Sequence, residues 1–146
     1  MDGGGGLDAF EAVPDWLAYL ALKSCRETCP ADRVPDSTWL CIRRADNRLV
    51  GMANIRHELN DLLLQWGGHV GYSIRPGERG RGYAKQQLRL TLDQCRALGL
   101  KRVLLTCDET NEPSRRTIES CGGRYEDTRP DSDGQPTRRY WIDLND

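Results

Sequence analysis

The chain has 146 residues, 38% of them hydrophobic, and sets 21 lysines and arginines against 22 aspartates and glutamates for a formal charge of −1. That length suits one domain with a core of its own, and the composition excludes wholesale disorder. The charge balance argues against the summed basic field of a nonspecific nucleic-acid binder, no stretch reaches the roughly 18 apolar residues of a membrane span, and the start Met1-Asp2-Gly3 does not open a signal peptide. A cytoplasmic protein is expected, with neither nucleic acid nor membrane as partner.

Gly3 to Gly6 predict a flexible, structureless start over residues 1–6, and a single domain over 7–146. Leu7, Phe10, Val13, Leu17, Leu20 and Ala21 fit helical spacing, with Pro14 splitting the segment or opening its main helix at Asp15-Trp16. After a loop over 31–37, the runs 38–43 and 49–55 flank the turn cluster Ala45-Asp46-Asn47-Arg48 and predict an antiparallel hairpin. Residues 58–65 fit a loop or a helical turn. A third strand over 70–75 ends at Pro76-Gly77, and a helix follows with Ala84, Leu88, Thr91, Leu92, Cys95 and Leu98 on one face and Gly99 at its end. With the apolar run 102–107 this makes a β-α-β unit, whose two strands are expected to be parallel neighbours. Asn111 to Ser120 predict a short helix capped by Asn111, and two closing strands flank the turn Asp131-Ser132-Asp133-Gly134.

The six cysteines include no C-x-x-C and there are only two histidines, so free buried thiols are expected and no metal site. Between residues 75 and 89, Arg75, Arg79, Arg81, Lys85 and Arg89 face Glu78 alone, a local charge of +4 that suits a small polyanion. Glycines just before a helix let a ligand approach the backbone while the first-turn amides stay unpaired, the arrangement that holds a pyrophosphate. The pattern G-x-x-x-x-G-K-[ST] is absent, and the dinucleotide fingerprint is half met, because Gly80 and Gly82 are followed by Lys85 where glycine is needed. A nucleotide-binding protein of Rossmann type stays open on these residues.

Arg79-Gly80-Arg81-Gly82-Tyr83-Ala84 resembles the [RQ]-x-x-G-x-[GA] acyl-CoA signature of the GNAT superfamily of N-acetyltransferases, set as there between a strand and a long helix. The segments Ile55-Arg56-His57-Glu58-Leu59-Asn60, Gly67-Gly68-His69-Val70-Gly71-Tyr72, Leu105-Thr106-Cys107-Asp108 and Arg139-Tyr140-Trp141-Ile142-Asp143-Leu144 extend the resemblance to a bacterial group of acetyltransferases. It implies an α/β fold with a mixed, splayed sheet flanked by helices, and acetyl-CoA as cosubstrate in the splay. By position, the backbone of Ile74 would face the pantetheine, residues 79–84 the pyrophosphate, and Asn111 and Ser114 the pantetheine from the far side. Two departures stand out. The superfamily often carries a tyrosine seven residues after that asparagine, where this chain has Ile118, and the additional strand and helix with which relatives begin are expected to be missing.

The resemblance implies acetyl transfer to the primary amine of a small molecule or peptide, with a noncatalytic acyl-CoA-binding module as the alternative and a homodimer left open. A base must take a proton from the amine, and His57 and His69 are the side chains whose ordinary pKa suits that work, with Glu58 as a third candidate. Each histidine fits a structural role equally well.

Overall fold

The protein is described here by a computed structural model covering residues 2–145. Its strands form two antiparallel sheets of three. In the first, β1 (Asp36–Arg43), β2 (Arg48–Arg56) and β3 (Val70–Ile74) lie in the order β1-β2-β3. In the second, β4 (Arg102–Asp108), β5 (Arg124–Pro130) and β6 (Pro136–Asp143) lie in the order β4-β6-β5. Three helices accompany them: α1 (Val13–Leu22), α2 (Tyr83–Ala97) and α3 (Glu112–Ser120). The expected hairpin, the helix ended by Gly99 and the Asn111-capped helix are all present, and residues 63–67 make a helical turn.

Proline sets the start of α1 and α3, where its missing N–H costs nothing. Leu88, Leu92 and Cys95 of α2 are buried against Val103, Leu105 and Cys107 of β4, Ile118 of α3 and Tyr140 and Ile142 of β6. Burying an aliphatic side chain of this size gains about 1.5–3 kcal/mol, so this shared core fixes α2 and α3 on one side of both sheets. Gln87 adds a polar anchor by donating to the Met52 carbonyl of β2 at 2.6 Å.

The expectation that 70–75 and 102–107 would be parallel neighbours in one sheet does not hold. Strand β4 spends its ladder bonds on β6, and β3 reaches it only at one end. There the His69 N–H donates to the Leu104 carbonyl at 2.8 Å, and the Leu104 N–H donates to His69 Nδ1 at 2.9 Å. An imidazole thus takes the amide that a facing strand carbonyl would have taken, and the ladder stops. The two strands diverge from that corner, which is the splay the family resemblance implied.

Nor do the first glycines form a structureless start. Gly3 and Gly4 are buried, and the indole N–H of Trp16, itself buried, donates to the Gly4 carbonyl at 3.1 Å. Gly3 has φ +75°, and a Cβ there would lie 2.6 Å from the Met52 carbonyl oxygen and 2.8 Å from the Tyr72 Cα. The run of glycine permits a backbone-on-backbone approach over β2 and β3 that a side chain would prevent. On the far edge of that sheet β1 pairs with β2 alone among the described strands, and Trp39, Leu40 and Ile42 are exposed along it.

Gly3→Ala is therefore expected to destabilise the protein by roughly 1–3 kcal/mol, the usual cost of forcing a residue into a strained backbone region. Urea unfolding measures it, and an unchanged midpoint would show that the first residues do not pack on the sheet.

Candidate active site

Strand β3 leads into the turn Pro76–Glu78, and from there the chain passes through Arg79, Gly80 and Arg81 to Gly82, which caps α2. Gly80 and Gly82 have φ of +77° and +82°, and a Cβ at either, or at Gly77, would meet nothing within 4 Å. Backbone conformation demands the first two glycines, and open space lies in front of all three. No side chain caps α2, so the amides at the start of this 15-residue helix face outward with the positive end of its dipole. This fits a pyrophosphate.

The basic patch is more organised than its sequence suggested. Glu78 is buried, and its carboxylate meets Arg43 at 2.8 Å, Arg48 at 2.9 Å and Arg81 at 3.5 Å. Arg43 also donates to the Tyr83 hydroxyl at 3.3 Å. The tip of the β1–β2 hairpin is thereby fastened to the start of α2, and two arginines from outside the motif join the patch. Arg79 turns back to donate from Nε to the Ile74 carbonyl at 3.1 Å, so it braces the end of β3.

Where β3 and β4 part, a cleft of about 220 Å³ opens. Gly71 and Tyr72 of β3, Thr106, Cys107 and Asp108 of β4, Ser114 of α3 and its N-cap Asn111 line it, together with Arg56 and Trp66. Asn111 accepts from the Ser114 N–H at 3.2 Å, so its cap role holds while its side chain stays at the cleft wall. The Tyr72 hydroxyl reaches across to Ser114 Oγ at 3.0 Å. Burial pushes the Tyr72 phenol above its ordinary pKa, and burial raises the Cys107 thiol to about 11. Of the residues expected from sequence, Asn111 and Ser114 border this cleft, whereas residues 79–84 lie beyond the end of β3 and do not. Sequence reasoning assigned no role to Tyr72, Arg56 and Thr106; the one signal for them was their place within the segments that resemble the bacterial group.

The three candidate bases also stand outside the cleft lining. His69 is buried in the corner between the sheets, where its Nδ1 is an acceptor and therefore carries no proton. Burial, with Arg56 and Arg102 nearby, lowers its pKa to about 4. His57 is half-buried at the end of β2, its Nε2 2.7 Å from Ser37 Oγ, and burial lowers its pKa against the opposing charges of Asp36 and Glu58. Glu58 is exposed and paired with Arg26.

Two antiparallel sheets parted along one seam, with a bare helix start beyond the seam, define an α/β domain built to admit a narrow phosphate-bearing ligand. The GNAT acetyltransferase domain matches residues 11–124, and the chain belongs to that family. Among solved structures, it is similar to the spermidine N-acetyltransferase of Vibrio cholerae in a mutant form (19% identity, 75% of this chain and 66% of that one, TM-score 0.62). It is also similar to the ribosomal-protein-S5-alanine acetyltransferase of Vibrio fischeri (18%, 76% and 63%, TM-score 0.63). A third is the Mycobacterium smegmatis RimJ in complex with CoA-disulfide (28%, 67% and 49%, TM-score 0.56). The chain thus spans less than two thirds of these neighbours' own lengths, or just under it in the first case. Comparison with curated protein sequences finds no match.

The corner geometry has a pH signature. Folding lowers the His69 pKa from 6.5 to about 4, so its neutral form belongs to the folded state. The stability it contributes is complete above pH 6.5 and is lost as the pH falls from there towards 4, on the order of 3 kcal/mol in all. Denaturant midpoints between pH 7 and 4 measure this, and His69→Gln, which cannot titrate, should flatten the decline. An equal decline in the variant would remove His69 as its source.

Proposed function

We propose that the protein transfers an acetyl group from acetyl-CoA to the primary amine of a small molecule or peptide. One observation carries this reading: β3 borders the cleft at Tyr72 and runs out at Ile74 into an unobstructed glycine turn at the bare start of α2. A ligand with an anionic end and a narrow extended arm suits that path, and family membership supports CoA as the ligand. When bound, acetyl-CoA supplies an activated acetyl thioester. The amides of Tyr83 and Ala84, with Gly80, Arg81 and Gly82, would hold the pyrophosphate, while Arg79 keeps the end of β3 in place beside it. Asn111 and Ser114 would contact the pantetheine arm within the cleft.

The attacking amine must be neutral, so its ammonium proton has to be taken up. His57 is the base this reading favours. Its lowered pKa leaves the ring neutral and able to accept at pH 7, and it follows Arg56, which lines the cleft. The second reading, a module that binds acyl-CoA without turning it over, draws on the absence of all three candidate bases from the cleft lining.

Release of CoA thiol across a panel of amines, polyamines and short peptides distinguishes the two, and thermal shift with CoA and with NAD tests the ligand. CoA should raise the melting temperature and NAD should not. Arg81→Ala should weaken CoA binding severalfold and reduce its salt dependence, since a phosphate contact exposed to solvent is screened by ions. His57→Ala should cost on the order of 10²-fold in kcat with the CoA-induced shift retained. Full activity in that variant would move the proton to a water.

A further inference from the structure

When the amine attacks, the C–N bond forms, the C–S bond breaks, and the electron pair of the broken bond stays on sulfur. A free thiol of this type has a pKa of about 8.5, so the leaving group needs either a proton or a strong donor near neutral pH. Ile118, on the helix that walls the cleft, is a fully buried hydrocarbon and can give neither. The groups lining the cleft that carry a proton on oxygen or sulfur are Tyr72, Thr106, Ser114, Thr137 and Cys107.

They are not equivalent. The Thr106 hydroxyl is already committed, donating to the Trp66 carbonyl at 2.7 Å, and Thr137 is tied to the Gln135 carbonyl at 3.5 Å. Cys107 is buried within β4, and a thiol is a weak donor. Tyr72 and Ser114 remain, and they are joined at 3.0 Å across the cleft. Of the two hydroxyls the phenol, with an ordinary pKa of about 10, is the better match to a leaving thiol and the stronger acid. A serine hydroxyl that donates to the phenol oxygen leaves the phenol proton to pass between the Thr117 hydroxyl, also within hydrogen-bonding reach of Tyr72, and a ligand in the cleft. The ring spans the gap where β3 and β4 part, packed on the core at its base with its hydroxyl over α3.

Resting on the acetyl-transfer reading above, we propose that Tyr72 is the catalytic acid: its O–H protonates the departing CoA sulfur, and Ser114 orients the phenol for that transfer. The proton count closes without any further reactant. The amine nitrogen loses one proton as the amide forms, the sulfur gains one from Tyr72, and the phenolate recovers one from solvent through the Ser114 hydroxyl. Burial, which holds the phenol protonated at neutral pH, keeps the donor charged with its proton before each turnover.

The test uses the full chain and Tyr72→Phe, which keeps the ring and removes the oxygen. Binding is read first, by calorimetry with CoA and with desulfo-CoA between pH 7 and 9.5. In the parent, CoA affinity should rise by about tenfold relative to desulfo-CoA as the thiol ionises, the usual worth of a hydrogen bond to a charged partner; in Tyr72→Phe the two ligands should bind alike at every pH. Turnover is read second: kcat should fall by 10- to 100-fold in Tyr72→Phe while the KM for acetyl-CoA changes less than threefold, and Ser114→Ala should show a smaller loss of the same kind. Melting curves establish that both variants fold. A folded Tyr72→Phe with the parent's kcat, or one that keeps the parent's preference for the thiolate, overturns the assignment while acetyl transfer itself stands. A parent that binds CoA and turns over no amine overturns both.

Discussion

Leu104 sits in the middle of β4, yet its peptide group on one side is held by a single residue of the other sheet. Its carbonyl accepts the His69 N–H and its N–H is given to the His69 ring. A side chain occupies that amide where a strand carbonyl would have paired with it, and no ladder joins β3 to β4 among the described residues. The cleft opens beyond this corner. Its wall, running from Thr106 to Asp108, consists of residues that a continuous sheet would have paired with β3. The edge-on approach of Trp141 to the imidazole, with ring centroids 6.4 Å apart, and the stacking of Arg102 on that indole at 4.0 Å close the corner from outside.

Beyond the other end of β3, a buried carboxylate governs the electrostatics. Leaving an ionised Glu78 unpaired out of water would cost several kcal/mol, so the arginines around it are first a structural requirement. Their arrangement also prepares the site. Arg43 and Arg48 come from opposite strands of a hairpin and Arg81 from the loop before α2, and sharing one carboxylate locks these elements together. A loop that is open in front, as the glycines show, is thereby stiff behind, which lowers the ordering cost of binding an anion there.

Secondary structure was largely legible, because the signals were local. Gly99 ends α2, Asn111 caps α3, and two apolar runs flank the turn cluster at Asp46-Asn47 in the first hairpin. The phosphate loop was legible for the same reason, its glycines and arginines being contiguous. What escaped was set by partners distant in sequence. A histidine 35 positions away ends the ladder that the β-α-β pattern promised. Trp16 turns a glycine run that reads as linker into packed backbone. Arg139, 2% exposed in its side chain, reads as a surface residue of a closing strand, but Asp127 at 2.7 Å and the Leu64 carbonyl at 3.1 Å draw it inside. The Tyr72 hydroxyl belongs to this class too, since it acquires a role only when α3 brings Ser114 to it.

The outer strand β1 carries a different kind of consequence. Among the described residues β1 pairs with β2 alone, and a strand edge flanked by exposed Trp39, Leu40 and Ile42 is a template on which another extended segment can add. Arg43, its last residue, and Arg44, which follows it, act as gatekeepers at one end only. A lysine in place of Leu40 would set a charge in the middle of that edge and oppose such addition.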